Sequence, residues 1–310
     1  MSHRTLVIGG GGFIGSHLVP VLLSSGREVT VLGRSSIPRC ALPPEARYVS
    51  GDFSCQPLLD ELLDGHDEIV HLAYATVPNT SFDNPLADLI ENLSPTVRLF
   101  SAIAENGRRL VLVSSGGTVY GEARALPISE EHPTEPISPY GVTKLTVEKY
   151  AHLFAITRNL KVAVVRPANA YGEGQKPFSG QGFVATAMAS IMRGYPVRVF
   201  GAHGVVRDYI HVHDIATGIL SVLSRGKTGE VYNLGSGIGR SNFEVIGSLC
   251  SVMGSCGRTI EIQHEAGRPF DVQANILDCG KLSLATGWQP SVQFEEGLAR
   301  AHLWLKSHGC

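Results

Sequence analysis

Tyr140 and Lys144 stand four residues apart in Ser138-Pro139-Tyr140-Gly141-Val142-Thr143-Lys144, a stretch that opens a long helical pattern. Residues four apart on a helix share a face. A lysine cation beside a phenol favours the phenolate. Such a pair can take the proton of a carbinol while an adjacent acceptor takes its hydride. Alone, the pair is a common structural feature of helices. Just upstream, however, the apolar run Leu110 to Val113 leads into Ser114-Ser115-Gly116-Gly117-Thr118-Val119-Tyr120-Gly121. That is a strand with hydroxyls at its carboxyl end, the edge where open α/β sheets bind ligands.

The hydride acceptor has its own signature at residues 5–34. Leu6 to Ile8 form a short buried-strand pattern, and glycines follow at 9, 10, 11, 12 and 15. Phe13, Ile14, Leu18, Val21 and Leu22 then recur at helical spacing, Gly26 stops the helix, and Val29 to Leu32 make a second strand. This is the context a dinucleotide fingerprint needs. Gly9 allows the sharp turn, Gly12 a close backbone approach to a pyrophosphate, and Gly15 the packing of helix on strand. The free N–H groups and dipole at the helix start favour phosphates. The glycines read as Gly9-x-x-Gly12-x-x-Gly15 or as Gly10-x-Gly12-x-x-Gly15. The second strand ends Leu32-Gly33-Arg34-Ser35 with no acid for a ribose hydroxyl. Arg34 and Ser35 suit a 2′-phosphate, so the chemistry leans to NADP over NAD. Asp52, in Gly51-Asp52-Phe53, is placed for an adenine contact. His71-Leu72-Ala73-Tyr74-Ala75 closes the fourth strand with small residues that let a cofactor approach.

Further strands are expected near Ala46–Val49, Glu68–Leu72, Arg109–Ser114, Lys161–Arg166 and Tyr209–Val212. Helices are expected near Pro57–Leu63, Pro85–Asn106, Pro139–Arg158, Gly182–Arg193, Val212–Ser224 and Phe294–Ser307. The alternation predicts an α/β fold with a doubly wound parallel sheet of Rossmann type. Residues 1–170 read as the dinucleotide-binding domain, completed by about 205–225, and 171–310 as a smaller, loop-rich substrate lobe. The two long helices, 85–106 and 139–158, carry apolar residues on more than one face: Leu89, Leu93, Val97 and Phe100 on one helix, Leu145, Val147, Tyr150 and Phe154 on the other. A homodimer through a four-helix seam is the expected use of them.

The 310 residues are 43% hydrophobic and 17% charged, with net charge −2. That is ordinary globular composition without a basic block, so nucleic acid and anionic membrane are excluded as partners by charge. No apolar run reaches membrane-spanning length. The start Met1-Ser2-His3-Arg4 runs straight into the first strand without signal architecture, so a cytoplasmic location is expected and Asn79 and Asn92 are discounted as glycosylation sites. The six cysteines (40, 55, 250, 256, 279, 310) have no paired spacing and read as free thiols. His211, His213 and Asp214 could share one face as metal ligands, but no third cluster accompanies them, and no metal is expected.

With these pieces in place, the chain resembles the extended short-chain dehydrogenase/reductases, most closely nucleotide-sugar 4-epimerases of the UDP-galactose 4-epimerase type. The resemblance spans residue 5 to about 305. Besides the segments above it rests on Asn92, Arg166-Pro167-Ala168-Asn169-Ala170-Tyr171-Gly172 and Arg207-Asp208-Tyr209-Ile210-His211-Val212-x-Asp214. It implies a tightly held nicotinamide cofactor contacted by Gly9, Gly12, Phe13, Ile14, Gly15, Arg34, Asp52, Phe53, Leu72, Ala73, Ala75, Asn92, Ser114, Tyr140 and Lys144. Tyr140 takes the proton of the sugar 4-hydroxyl, C4 hydride passes to the cofactor, and the 4-keto sugar swings round and is reduced on its other face. Lys144 lowers the tyrosine pKa and holds the nicotinamide ribose. Asn169, Arg207 and Arg268 meet the diphosphate, Asp271 the uridine ribose, and Val197 to Phe200, Val199 among them, lie along the base.

Four features depart from the pattern or set its limits. The usual Ser or Thr four residues before Tyr120 is Gly116; on extended backbone 116 and 118 point the same way, so Thr118 is expected to contact the sugar 4-oxygen. The ribose-binding acid is missing, which gives an NADPH-dependent 4-ketoreductase of a nucleotide-linked sugar as the alternative, with a non-catalytic binding descendant as a third reading. The position that gates the sugar 2-substituent in related epimerases is Asn275, small enough to admit N-acetyl sugars. The acid pair used in 4,6-dehydration is replaced by Gly117-Thr118.

Overall fold

Short runs of alternating apolar residues decide the architecture. A computed structural model describes residues 3–254, 260–268 and 270–309. Its first half consists of β1 (Arg4–Ile8), α1 (Phe13–Ser24), β2 (Glu28–Gly33), β3 (Arg47–Ser50), α2 (Gln56–Asp64), β4 (Glu68–His71), α3 (Pro78–Asp83), α4 (Pro85–Asn106) and β5 (Arg109–Val113). Then come α5 (Pro139–Arg158), β6 (Lys161–Pro167), β7 (Asn169–Tyr171), α6 (Phe183–Arg193), β8 (Val197–Phe200), β9 (Val206–His211), α7 (Val212–Arg225) and β10 (Val231–Leu234). The chain closes with β11 (Gly239–Ser241), α8 (Asn242–Val252), β12 (Ile262–Glu265), β13 (Ala274–Asn275), α9 (Gly280–Thr286) and α10 (Phe294–Ser307).

The main sheet runs β10-β6-β5-β4-β1-β2-β3, every pair parallel. Because strand side chains alternate, one set meets one helical layer and the next set the other. Val7, Val31, Val70, Val111 and Val165 pack with Leu18 and Leu22 of α1 and Ile215 and Ile219 of α7. Leu6, Ile8, Ile69, Leu110 and Val164 pack with Leu59 of α2, Leu99 and Phe100 of α4 and Val147 and Phe154 of α5. The expected doubly wound Rossmann sheet is therefore present. Its edge comes from β10, past the 205–225 return. The expected strand at Tyr209–Val212 is β9, which lies in a separate small sheet with β7, β11 and β13. That sheet, the β8–β12 pair and α6, α8 and α10 share a third core around Tyr171, Met188, Val199, Tyr209, Leu249 and Leu298.

The two long helices form over the expected spans. Asn84 caps α4 through Ala87 N–H at 2.9 Å, and Ser138 caps α5 through Gly141 N–H at 3.1 Å. Each then has proline in its first turn, where no N–H is needed. Of the residues read as seam-forming, Phe100, Val147 and Phe154 face the protein's own core. The apolar side chains left exposed are Leu86, Leu89 and Ile90 on α4 and Val142, Tyr150, Leu153 and Ile156 on α5. Cys40, Cys55 and Cys279 are free thiols; Cys256 and Cys310 lie outside the described residues. Among those residues, no helix is long and apolar enough to cross a membrane.

Candidate active site

One cavity of about 1070 Å³ follows the carboxyl edge of the main sheet and continues to β8, β9 and the Arg268–Asp271 pair. At one end, β1 delivers the chain into the glycine turn. Gly9 has φ +85°, and a Cβ there would sit 2.6 Å from Ala73 N. The turn therefore demands glycine twice over, by dihedral and by space. A Cβ on Gly15 would lie 2.2 Å from the Gly10 carbonyl, so this glycine lets α1 close on its own turn rather than on a strand. No side chain caps the N-terminus of α1 at Gly12, and Gly12, Phe13 and Ile14 line the cavity. Uncapped helix N–H groups facing a cavity fit a pyrophosphate.

The adenosine end fits a dinucleotide as well. Arg34, Asp52, Phe53, Leu72, Ala73 and Ala75 all line the cavity. Asn92 accepts from Ala75 N–H at 2.8 Å and donates to the Asp88 carbonyl at 2.7 Å, which fixes the segment after β4. Two residues outside the sequence reading join them. Arg39 lines the mouth together with Arg34, and Tyr48 donates to the Ser35 carbonyl at 2.7 Å, shaping that turn. Arg39 escapes a motif search because it lies in the irregular segment between β2 and β3.

The centre of the cavity holds the hydroxyls and the tyrosine–lysine pair. Ser114, Thr118, Tyr140 and Lys144 all line it. The helix that carries Tyr140 is held by Ser138 at its cap and by Ser81 of α3, which accepts from Tyr140 N–H at 3.1 Å. A Cβ on Gly141 would lie 2.7 Å from the Thr118 carbonyl, so the 115–118 segment crosses close over the start of α5. The hydroxyls of Ser114 and Thr118 are buried without a hydrogen-bond partner among the described residues. Buried hydroxyls are costly when unpaired, and these two belong to residues that line the cavity.

Residues 115–118 form a turn, with Thr118 and Val119 N–H both donating to the Ser115 carbonyl at 3.4 and 3.3 Å. The expectation of extended backbone there fails. Gly116 points away from the cavity: its Cβ would lie 2.5 Å from Leu277 and 2.9 Å from the Arg166 carbonyl. Thr118 still reaches the cavity.

Lys144 donates to the Val113 carbonyl at 3.1 Å. Burial lowers its pKa to about 8 against the opposing charges of Glu148 and Asp88. Tyr140 is pushed above the ordinary phenol range, first by burial and then by Asp88. Without ligands the phenol keeps its proton, and the lysine does not by itself produce the phenolate that the spacing suggested.

At the far end, Asn169, Arg207, Arg268 and Asp271 line the cavity. Asn169 Nδ2 is buried and unpaired among the described residues. Arg207 is fixed by the carbonyls of Val206 and Val272 at 2.9 and 2.7 Å, and burial lowers its pKa. Arg268 grips Asp271 through two bonds of 2.7 and 3.0 Å and lies 4.2 Å over the ring of Phe200.

Two expected contacts are not there. Val199 is turned into the third core, and its neighbours Arg198 and Phe200 line the cavity. Asn275 is only 1% exposed and donates to the Gly116 carbonyl at 3.0 Å, behind the cavity wall. The side-chain space at 116 is taken by Leu277, and Asn275 is held at the Gly116 carbonyl. Asn275 thus supports the hydroxyl turn and is not a gate. His211 and Asp214 have protein partners: His211 meets Glu173 at 2.9 Å, and Asp214 accepts from the backbone of Ser291 and Val292 at 3.0 Å.

Comparison with known proteins agrees with this geometry. Residues 5–235 match the profile of the NAD dependent epimerase/dehydratase family. The chain is 33% identical over 305 residues to a UDP-glucose 4-epimerase of Mycolicibacterium smegmatis, covering 96% of both. It is 32% identical to a dTDP-glucose 4,6-dehydratase of Streptomyces niveus, covering 98% of this chain and 93% of that one. Among solved structures, UDP-glucose 4-epimerase of Thermotoga maritima with UDP-glucose superposes with TM-score 0.91 at 31% identity, over 98% of this chain and 99% of that one. The glycine turn, the tyrosine–lysine helix and the shared length lead to one conclusion: the chain belongs to the NAD dependent epimerase/dehydratase family of extended short-chain dehydrogenases.

Proposed function

We propose that the protein is a nucleotide-sugar C4 epimerase that works through a 4-keto intermediate and regenerates its nicotinamide cofactor. The observation that carries this is the placement of Thr118, Tyr140 and Lys144 midway along one cavity, between a pyrophosphate cradle and an arginine-lined end. When bound, the oxidised nicotinamide supplies the hydride acceptor and a positive charge. Tyr140 Oη takes the proton of the 4-hydroxyl and returns it after the sugar has turned. Thr118 gives the 4-oxygen a hydrogen-bond partner, for which its buried, unpaired hydroxyl is ready. Lys144 holds the ammonium near Tyr140 and orients the ribose side of the cofactor. Arg207, Arg268 and Asn169 take the diphosphate of a UDP-sugar, and Asp271 the ribose, once Arg268 shifts from its grip on that carboxylate. Phe200 offers the base a flat apolar face. The pair of acids used in 4,6-dehydration is absent at Gly117-Thr118, which favours epimerisation over the dehydratase activity named for some relatives.

The cofactor reading leans to NADP. Arg34 and Arg39 line the adenosine mouth, and β2 ends without an acid; paired guanidinium groups suit a phosphate. The same arginines support the second reading, an NADPH-dependent 4-ketoreductase. The homodimer belongs to this proposal through the exposed apolar residues of α4 and α5, as does a cytoplasmic location. Absorbance at the nicotinamide band separates the two activities. An epimerase converts excess nucleotide sugar with no net change in the band, and Tyr140→Phe abolishes conversion. Stoichiometric loss of NADPH with a 4-keto sugar would favour the reductase.

A further inference from the structure

Helix α4 brings a carboxylate to the site that the chemistry above does not use. Asp88 is fully buried. Thr76 donates to its Oδ1, while Oδ2 has no partner among the described residues. Tyr74, from the segment after β4, lies against it. The Tyr74 ring meets the Tyr140 ring edge-on at 4.8 Å. It also lies 4.0 Å from the Lys144 ammonium, nearer than the ring of Tyr140 at 5.6 Å. A buried ammonium needs both a counter-charge and a polarisable surface.

We propose that Tyr74 and Asp88 are positioning residues for the Tyr140–Lys144 pair: the Tyr74 ring seats the ammonium between the two tyrosines, and Asp88, buried against Tyr74, adds negative charge behind that seat. The inference rests on the alcohol–ketone reading of the site. Two other titratable side chains act on Lys144 or feel its charge. Glu148, one turn along α5, is committed to Arg166 at 2.6 Å. His71 of β4 is held neutral, its pKa lowered to about 3 by burial and by Lys144. Glu148 favours the lysine's charge ahead of Asp88 but shares its oxygens with the Arg166 guanidinium, whereas Asp88 Oδ2 is unpartnered among the described residues. Its charge adds to burial in opposing ionisation of Tyr140.

The test is an NMR titration of the whole protein labelled with ¹³C at lysine Cε, with Lys144→Met to assign the signal. Asp88→Asn keeps an acceptor for Thr76 and removes the charge. It should lower the Lys144 midpoint by about one pH unit. Tyr74→Leu, which removes the ring, should also lower it, and Tyr74→Phe should leave it near the parent value. An unchanged midpoint in Asp88→Asn overturns the counter-charge, and one in Tyr74→Leu overturns the seat. Should Asp88→Asn fail to fold, Asp88→Ser makes the same measurement. The titration needs neither substrate nor cofactor. A fixed midpoint therefore sinks this proposal even in an active epimerase, and absent turnover sinks the activity reading even where the midpoint moves.

Discussion

Replacing Thr118 by valine should make the protein more stable and less active at once. Valine keeps the shape of threonine and deletes a hydroxyl that is buried without a partner among the described residues. An unpaired buried hydroxyl costs about 1–3 kcal/mol, so the variant should unfold later, by about 2 °C or more in a chain of this size. On the proposed mechanism the same hydroxyl bonds the 4-oxygen in the reacting complex. Losing that bond, worth about 1–3 kcal/mol, should lower kcat/KM by about 5- to 150-fold. Thermal melting without ligands and steady-state epimerisation read the two effects separately. A raised Tm with unchanged turnover would show the hydroxyl idle and move the role to Ser115 or water. A lowered Tm would show that the Thr118 hydroxyl is paired in the folded protein.

Other outcomes follow from the same geometry. Lys144 has its pKa lowered from 10.5 to about 8, so the unfolded chain binds more protons in between and stability rises with pH there. Urea unfolding should show a gain of about 2 kcal/mol from about pH 7.5 to about pH 9.5 that Lys144→Met lacks. Asn275→Tyr should impair UDP-glucose and UDP-N-acetylglucosamine alike and lower Tm, because the side chain braces Gly116; selective loss of the N-acetyl sugar would restore the gate. Arg34→Ala with Arg39→Ala should weaken NADP at least about 10-fold more than NAD, by calorimetry; equal weakening would remove the 2′-phosphate from the account.

Much of this was readable from order and spacing. Helices 85–106, 139–158 and 294–307 have the expected bounds, because Pro85 and Pro139 follow capping residues and Phe294 begins the last apolar stripe. The cofactor end was legible because phosphate binding depends on backbone and glycine, which sequence displays directly. Positions decided by packing between distant segments were not. Val199 and Asn275 were placed by resemblance, yet which way each turns is set by the third core and by the hydrogen bond to the Gly116 carbonyl. Tyr74 was grouped with small residues because its neighbours are small. Asp88 sits one turn before Asn92 among leucines on α4, and an acid on an apolar face was the signal available for it. The 115–118 alternation failed because the segment turns, and alternation applies only to extended chain.

Internal return of the C4 hydrogen separates a hydride shuttle from exchange with solvent, and proton NMR in D₂O reads it. The enzyme is incubated with UDP-glucose or UDP-N-acetylglucosamine and substoichiometric NADP or NAD. The anomeric signal of the galacto isomer should grow to equilibrium, with protium retained at C4 and the cofactor unchanged in amount. Deuterium at C4, or turnover that stops after one equivalent of cofactor, would contradict it.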